Sequence, residues 1–263
     1  ALLVHLHLQA SISIRKASRR KLIDKTYFSK EKLLLLFEQL QHFFRKIEPY
    51  KPKNSAWYDY YDNTILSQEY LAEKECIVRE ILKENPVHTI LDAGANDGYF
   101  SFVALEYAKQ VVAVEYDHHC VNNLHKRVKK EKKNIFTLIS GITNPSPALG
   151  FLNKEKYSLL DRLKGTDLTL ALAVTHHLRI GFNVPFHLQA ELFKSFSKKL
   201  IVEYVPKEDP KCQELLLNRE DVFDDYSQER FVHSFVESGF VLKKESCLSS
   251  VNRILYVFEM EES

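Results

Sequence analysis

Cysteine is scarce in this chain of 263 residues, and no thiol sits near another. Cys76, Cys120, Cys212 and Cys247 form no Cys-x-x-Cys pair. The ligand spacing of a zinc site and the density of a disulfide framework are both missing, so a reducing cytoplasmic compartment is expected. Long apolar runs are missing as well. Residues 1–8 are apolar, but the run is too short to span a bilayer and is broken by His5 and His7. It also lacks the basic lead and small-residue exit of a signal peptide. Charge of one sign does not dominate: 37 Lys and Arg stand against 35 Asp and Glu, a net of +2. Composition therefore points to no polyanionic partner. Met260 is the one methionine and the chain opens on Ala1, so the sequence is read as a fragment, a processed form or an incomplete reading frame. It contains no internal repeats or low-complexity tracts.

What remains is a globular composition. Hydrophobic content of 45% and aromatic content of 12% suffice for a core, and the length allows one α/β domain with an appendage. Residues 1–56 read as a partly helical N-terminal extension. It carries a basic cluster over residues 15–25, and residues 30–47 repeat apolar side chains at helical spacing. Pro49 and Pro52 end that helix and open a linker. From residue 57 the pattern alternates. Strands are predicted at 89–94, 111–116, 135–140, 168–174 and 199–205, with helices near 67–83, 99–109, 118–131, 155–163, 186–196 and 210–217. Such alternation argues for a parallel sheet covered on both faces. A helix to residue 238 and strands at 241–248 and 253–260 follow. The four residues between the last two strands allow antiparallel neighbours and no parallel crossover.

The most informative stretch is Thr89-Ile-Leu-Asp-Ala-Gly-Ala-Asn-Asp-Gly-Tyr-Phe-Ser101, followed by Val111-Val-Ala-Val-Glu-Tyr-Asp117. An apolar strand ends at Asp92, turns through Gly94 and Gly98, and opens into a helix whose first amides can face a ligand. A second strand ends at Glu115, at roughly the 20-residue spacing where a carboxylate grips ribose hydroxyls in nucleotide-binding α/β folds. The dinucleotide pattern G-x-G-x-x-G fails, because Asn96 and Tyr99 stand where its glycines belong. A phosphate-binding Gly-Lys-Ser/Thr loop is absent too. An acid ahead of the glycines suits a ligand bearing a positive amino group. The plainer alternative is a pair of strand-end carboxylates beside ordinary turns.

This arrangement resembles the first motif of class I S-adenosylmethionine (SAM) methyltransferases. Longer segments carry a narrower resemblance: residues 142–147 (ITNPSP), 170–178 (LALAVTHHL), 200–210 (LIVEYVPKEDP) and 219–226 (REDVFDDY) are similar to bacterial methyltransferases related to the nodulation protein NoeA. The similarity runs from about residue 57 to the C-terminus. It implies an α/β Rossmann-like seven-stranded, mostly parallel sheet with a C-terminal antiparallel hairpin, occupying residues 57–263. It implies SAM as cofactor, held by Asp92, Gly94, Ala95, Asn96 and Gly98 in the first turn and by Glu115 and Tyr116 after the second strand. One departure stands out. Such enzymes usually end the third strand on an acid that meets the adenine amino group, and this chain has Ser140-Gly141-Ile142 there.

The loop after the fourth strand holds Thr175-His176-His177. Either histidine could serve as the base for an acceptor that must lose a proton, or pack beside the cofactor. No third ligand completes a metal site with them, so no metal is expected. The same loop lacks the Asn/Asp-Pro-Pro-Tyr/Phe motif of amino methyltransferases acting on adenine, and no cysteine is placed for cytosine-C5 chemistry. Glu203 ends the fifth predicted strand and, with Lys207, Glu208 and Asp209, could face substrate, or it is a strand-end carboxylate beside a solvated turn. Trp57, Tyr58, Tyr60 and Tyr61 could close over the methionine end of the cofactor or simply pack. The expected acceptor is a small molecule or a glycan-related compound. Lysines over residues 126–133 and the cluster at 15–25 raise RNA as an alternative, although no interleaved aromatics accompany them. A non-catalytic protein of the same fold acting through partners is the third reading.

Overall fold

The computed structural model describes residues 29–47, 68–217 and 219–261. The chain divides into two compact units, Ala1–Lys53 and Asn54–Ser263. The expected boundary at 56/57, the basic cluster at 15–25 and the aromatic segment from Trp57 lie outside the described residues. In the first unit, α1 (Lys30–Arg45) is capped by the Ser29 hydroxyl, which accepts from the Lys32 amide.

The second unit alternates as the pattern predicts: α2 (Gln68–Glu84), β1 (Thr89–Ala93), α3 (Tyr99–Leu105), β2 (Gln110–Glu115), α4 (His118–Glu131), β3 (Ile135–Ile139), α5 (Leu159–Leu163) and β4 (Thr166–Ala171). Then come α6 (Phe186–Phe196), β5 (Ser197–Tyr204), α7 (Pro210–Leu216), α8 (Gln228–Glu237), β6 (Phe240–Cys247) and β7 (Ile254–Met260). The seven strands form one sheet in the order β3-β2-β1-β4-β5-β7-β6. Strands β1 to β5 are parallel, and β7 runs antiparallel between β5 and β6. The strand order reverses between β1 and β4, which opens a crevice at their carboxyl ends.

Ile90, Leu91 and Ala93 are fully buried on both faces of β1, as a central parallel strand requires. One apolar layer joins Val78, Ile81 and Leu82 of α2 to Phe100, Leu124 and Val128. The other gathers Phe186, Phe193 and Phe196 of α6 with Phe231 and Phe235 of α8 against Phe240 and Phe258. Side-chain caps start the helices: Asp117 accepts from the His119 amide, Ser158 from Asp161, Asp209 from Lys211 and Ser227 from Arg230.

Three expected elements are shorter than their patterns. The helix after the glycine turn stops at Leu105, and the helix before β4 starts only at Leu159, behind its Ser158 cap. β4 ends at Ala171, because Ala173 takes a left-handed conformation (φ 53°) that breaks the strand. The chain then turns into a helical segment from Thr175 whose end, His177–Gly181, is π-helical.

Phe235 is fully buried and meets Phe231 and Phe258 at ring-centroid distances of 4.7 and 5.1 Å. Phe235→Ala is expected to cost about 3–5 kcal/mol of stability, read from urea unfolding midpoints at unchanged m-value.

Candidate active site

The crevice is bounded by the turn after β1, the ends of β2 and β3, the segment after β4, and one face of α2. Gly94, Asn96 and Gly98 all have left-handed backbone, with φ of 84°, 51° and 86°. This coil brings the Gly94 and Ala95 amides onto the Val114 carbonyl, at 2.8 and 3.1 Å. The two glycines are required for different reasons. A Cβ on Gly94 would lie 2.5 Å from Val174 Cγ2 on the opposite wall of the cleft. A Cβ on Gly98 would strike Leu124 Cδ1 of α4 at 2.2 Å. Gly98, expected where a side chain would crowd the ligand or the turn itself, is absent from the cleft lining; it lets α3 pack on α4.

Glu115 closes the other side of the turn. Its Oε2 accepts from the Asn96 amide at 3.0 Å, and its Oε1 accepts from the Tyr116 and Asp117 amides at 2.8 and 2.9 Å. Burial raises the Glu115 carboxyl above its ordinary value while these three amides pull it back. Asp92 is buried beside it and accepts from the Ser101 hydroxyl at 2.5 Å. Burial, with Glu115 adding like charge against the Ser101 bond, lifts its pKa to about 6. Both carboxylates line the cleft with Ala95, Asn96 and a half-exposed Tyr116. Ser140, Gly141, Ile142 and Thr143 form the wall where an acid was missing, and offer hydroxyl and backbone groups in its place.

The histidine pair divides. His177 lines the cleft, followed by Leu178 and Phe182. His176 is fully buried, and neither ring nitrogen has a partner among the described residues. It is absent from the cleft lining, and the expectation of two equivalent candidates gives way to one. The helical turn starting at Thr175 is the cause, because it rotates consecutive side chains onto different faces. Thr175 anchors that turn by donating to the Glu203 carbonyl at 2.9 Å. Arg179 pairs with Asp225 at 2.5 Å, and Arg219 donates to the Ile180 carbonyl and to Asn183 Oδ1, which ties the π-turn to residues 219–226. Burial, reinforced by the positive charges of Lys211 and Arg253, lowers the His177 pKa to about 4.

A cluster the sequence did not announce lies behind the α2 wall. Lys74 donates to Glu203 Oε2 at 2.5 Å, and Tyr70 donates to Glu203 Oε1 at 2.7 Å. Arg253 reaches Glu203 Oε1 at 3.3 Å and holds Asp209 through two bonds of 2.8 and 3.0 Å. Burial would raise the Glu203 carboxyl, but Lys74 and Arg253 overturn that and hold it below its ordinary range. Glu203 is thus a strand-end carboxylate, as the plainer reading had it, but a buried and ion-paired one. One signal was available: Lys74 falls in the apolar register of Tyr70, Val78 and Ile81, where an unpaired lysine would be costly. Its charged partner, Glu203, stands 129 residues away in sequence and was not readable.

The cleft holds about 1130 Å³, including space open to solvent. It is large enough for a nucleoside carrying an amino acid, and Glu115, Asp92 and the close-approach turn at Gly94 fit such a group. No family model matches the chain. Nodulation protein NoeA of Rhizobium meliloti (strain 1021) is 31% identical over 267 residues, covering 99% of this chain and 56% of the relative. The chain thus spans about half the length of the relative it matches. The N-methyltransferase NodS of Bradyrhizobium japonicum WM9, in complex with S-adenosyl-L-homocysteine (SAH), superimposes with a TM-score of 0.55 at 14% identity, covering 84% of this chain and 98% of that one. The chain thus shares the fold of methyltransferase structures and is similar in sequence to NoeA. Magnesium protoporphyrin IX methyltransferase of Synechocystis PCC 6803, with bound SAM, shares this fold at a TM-score of 0.52 and 12% identity, over 90% of this chain and all of that one. Among the described residues of this methyltransferase fold, no group of three His, Cys, Asp or Glu could hold a metal ion. No described helix is long and apolar enough to cross a membrane.

Two outcomes follow from this geometry. Gly94→Ala should lose roughly 1–3 kcal/mol through the clash with Val174, plus roughly 1–2 kcal/mol through the left-handed backbone. Adding Val174→Ala should return only the clash component in thermal melts. His177 supplies a pH effect. Its folded pKa of about 4 lies below the ordinary 6.5, so its stabilising contribution is complete above pH 6.5 and lost as pH falls toward 4. Asp92, raised from 3.8 to about 6, runs oppositely, and its contribution is lost as pH rises through 6. His177→Leu should therefore lose less stability than the wild type between pH 7 and pH 4.5 in denaturant titrations.

Proposed function

We propose that this protein transfers a methyl group from SAM to a small-molecule or glycan-related acceptor. The observation that carries this reading is the pair of buried carboxylates, Asp92 and Glu115, facing one cleft from neighbouring strand ends. In this reading Asp92 receives the ammonium of the amino acid end, and the Gly94-Ala95-Asn96 backbone follows the ligand's length. Glu115 receives a ribose hydroxyl, and Tyr116 lies along the adenine. A carboxylate offers about four acceptor positions, and three amides occupy three of them on Glu115. One direct ribose bond is therefore expected, from Oε2.

The cofactor supplies an electrophilic methyl carbon on a positive sulfur, and the chain's own residues orient the acceptor lone pair in line with it. His177 is neutral at physiological pH and can accept a hydrogen bond from an acceptor hydroxyl or amine. Its lowered basicity makes it a modest proton acceptor, so positioning carries more of the rate than proton removal.

An uncharged acceptor with apolar surface suits Ile142, Leu172, Leu178 and Phe182, which line the same cleft. Nucleic acid suits it poorly. Phosphate contacts dominate such binding, and the described lining contains no arginine and a single, ion-paired lysine. The lysines that end α4 precede β3, so they lie at the opposite edge of the sheet from the cleft.

Calorimetric titration with SAH tests the cofactor, and absence of binding to the intact protein would sink the reading. Glu115→Ala should weaken SAH about ten- to hundredfold, the loss of one charge-assisted bond of about 1.5–3 kcal/mol. Wild-type affinity in that variant would remove Glu115 from the ribose. Incubating metabolite, glycan and RNA pools with methyl-labelled SAM identifies the acceptor class. With that acceptor, His177→Ala should reduce kcat by about a hundredfold and leave SAH affinity within a factor of about two. His176→Ala should act through stability and leave kcat near the wild-type value.

A further inference from the structure

Three Lys, Asp or Glu side chains line the cleft among the described residues, and two have been given roles above. The third is Lys74, the single cation of the lining, since His177 is neutral. It projects from α2 and is almost wholly buried. Two aromatic rings confine its ammonium, Phe100 with its centroid at 5.0 Å and Tyr70 at 5.4 Å. An ammonium has three N–H donors. Glu203 takes one at 2.5 Å and the Tyr70 hydroxyl takes another at 3.2 Å. The third has no acceptor among the described residues. Lys74 and Asp92 are close enough that each perturbs the other's ionisation.

An amino acid carries its ammonium and carboxylate on one carbon, so a site that holds both needs neighbouring groups of opposite charge. Burying the carboxylate without a counter-charge would be costly. The backbone turn supplies little relief. Gly94, Ala95 and Gly98 donate to the carbonyls of Val114 and Ala95, Asn96 to Glu115, and Tyr99 to Asp97.

We infer that Lys74 captures the carboxylate of the cofactor's amino acid end, forming with Asp92 a buried pair that recognises the zwitterion; this rests on the cofactor reading above. The ion cluster behind it then has a purpose. Glu203 and Tyr70 fix the ammonium in one place, and Arg253 keeps Glu203 charged so that Lys74 stays put. The competing account is that Lys74 only neutralises Glu203 and never touches ligand.

Three ligands separate these accounts by calorimetry on the intact protein: SAH, its decarboxylated analogue that keeps the amine, and 5′-methylthioadenosine, which lacks the whole amino acid end. Wild type should bind SAH at least about tenfold tighter than the decarboxylated analogue, as a charge-assisted contact requires. Lys74→Met should weaken SAH by about that factor and leave the other two ligands within a factor of about two. Because Lys74→Met strips Glu203 of a partner, Lys74→Met/Glu203→Gln is measured alongside, which keeps the cluster's charge balanced. Loss of discrimination in either folded variant supports the assignment. Equal weakening of all three ligands makes Lys74 a structural counter-ion and overturns it. Wild type that fails to distinguish SAH from its decarboxylated analogue overturns it without any variant. Wild type that binds none of the three removes the cofactor reading itself, a different result from failure at Lys74.

Discussion

Glu203 has no solvent exposure, yet it carries a negative charge at the end of a central strand. Three donors hold it there: Lys74 and Tyr70 from α2, and Arg253 from the turn into β7. Arg253 extends the cluster to Asp209, which also caps α7. Elements far apart in the chain are thereby joined at one point behind the cleft. Removing one member would leave an uncompensated buried charge, which costs far more than the whole cluster contributes when intact. The position of α2 against the sheet, and so one wall of the cleft, depends on this balance.

The opposite wall depends on backbone geometry. Three left-handed residues within five turn the chain after β1 tightly enough for its amides to reach Val114 and Glu115. Glu115 uses one acceptor position on that turn, through Asn96, and two on the Tyr116 and Asp117 amides that follow it. One carboxylate thus shapes the site and retains a single position for a ligand. Gly94 serves the cleft and Gly98 serves helix packing, so two glycines of one motif answer to separate constraints.

Beyond β4 the left-handed Ala173 ends the strand early, and a helical turn replaces the loop. That turn sends His177 to the cleft and His176 into the interior, where nitrogens without a partner among the described residues and a lowered pKa fit a neutral packed ring. π-helical segments are unusual and concentrate at functional positions. Here two arginines clamp the segment to residues 219–226, next to Leu178 and Phe182 in the cleft lining.

Much of the fold was legible along the chain, because strand and helix periods, caps and turn residues are local signals. Ile90 to Asp92 and the short link before β7 are examples, and they led to the seven-stranded sheet with its terminal hairpin. Asp92 and Glu115 were legible as cleft-lining residues because strand ends and glycine turns have a recognisable spacing. Lys74, Tyr70 and Arg253 were not, since each looks like an ordinary helix or turn residue until Glu203 stands beside it. The two histidines were adjacent letters with equal standing. A backbone rotation of one residue, set by packing, made one face the cleft and buried the other. Local periodicity reports which element a residue joins, and only the packed chain decides what its side chain meets.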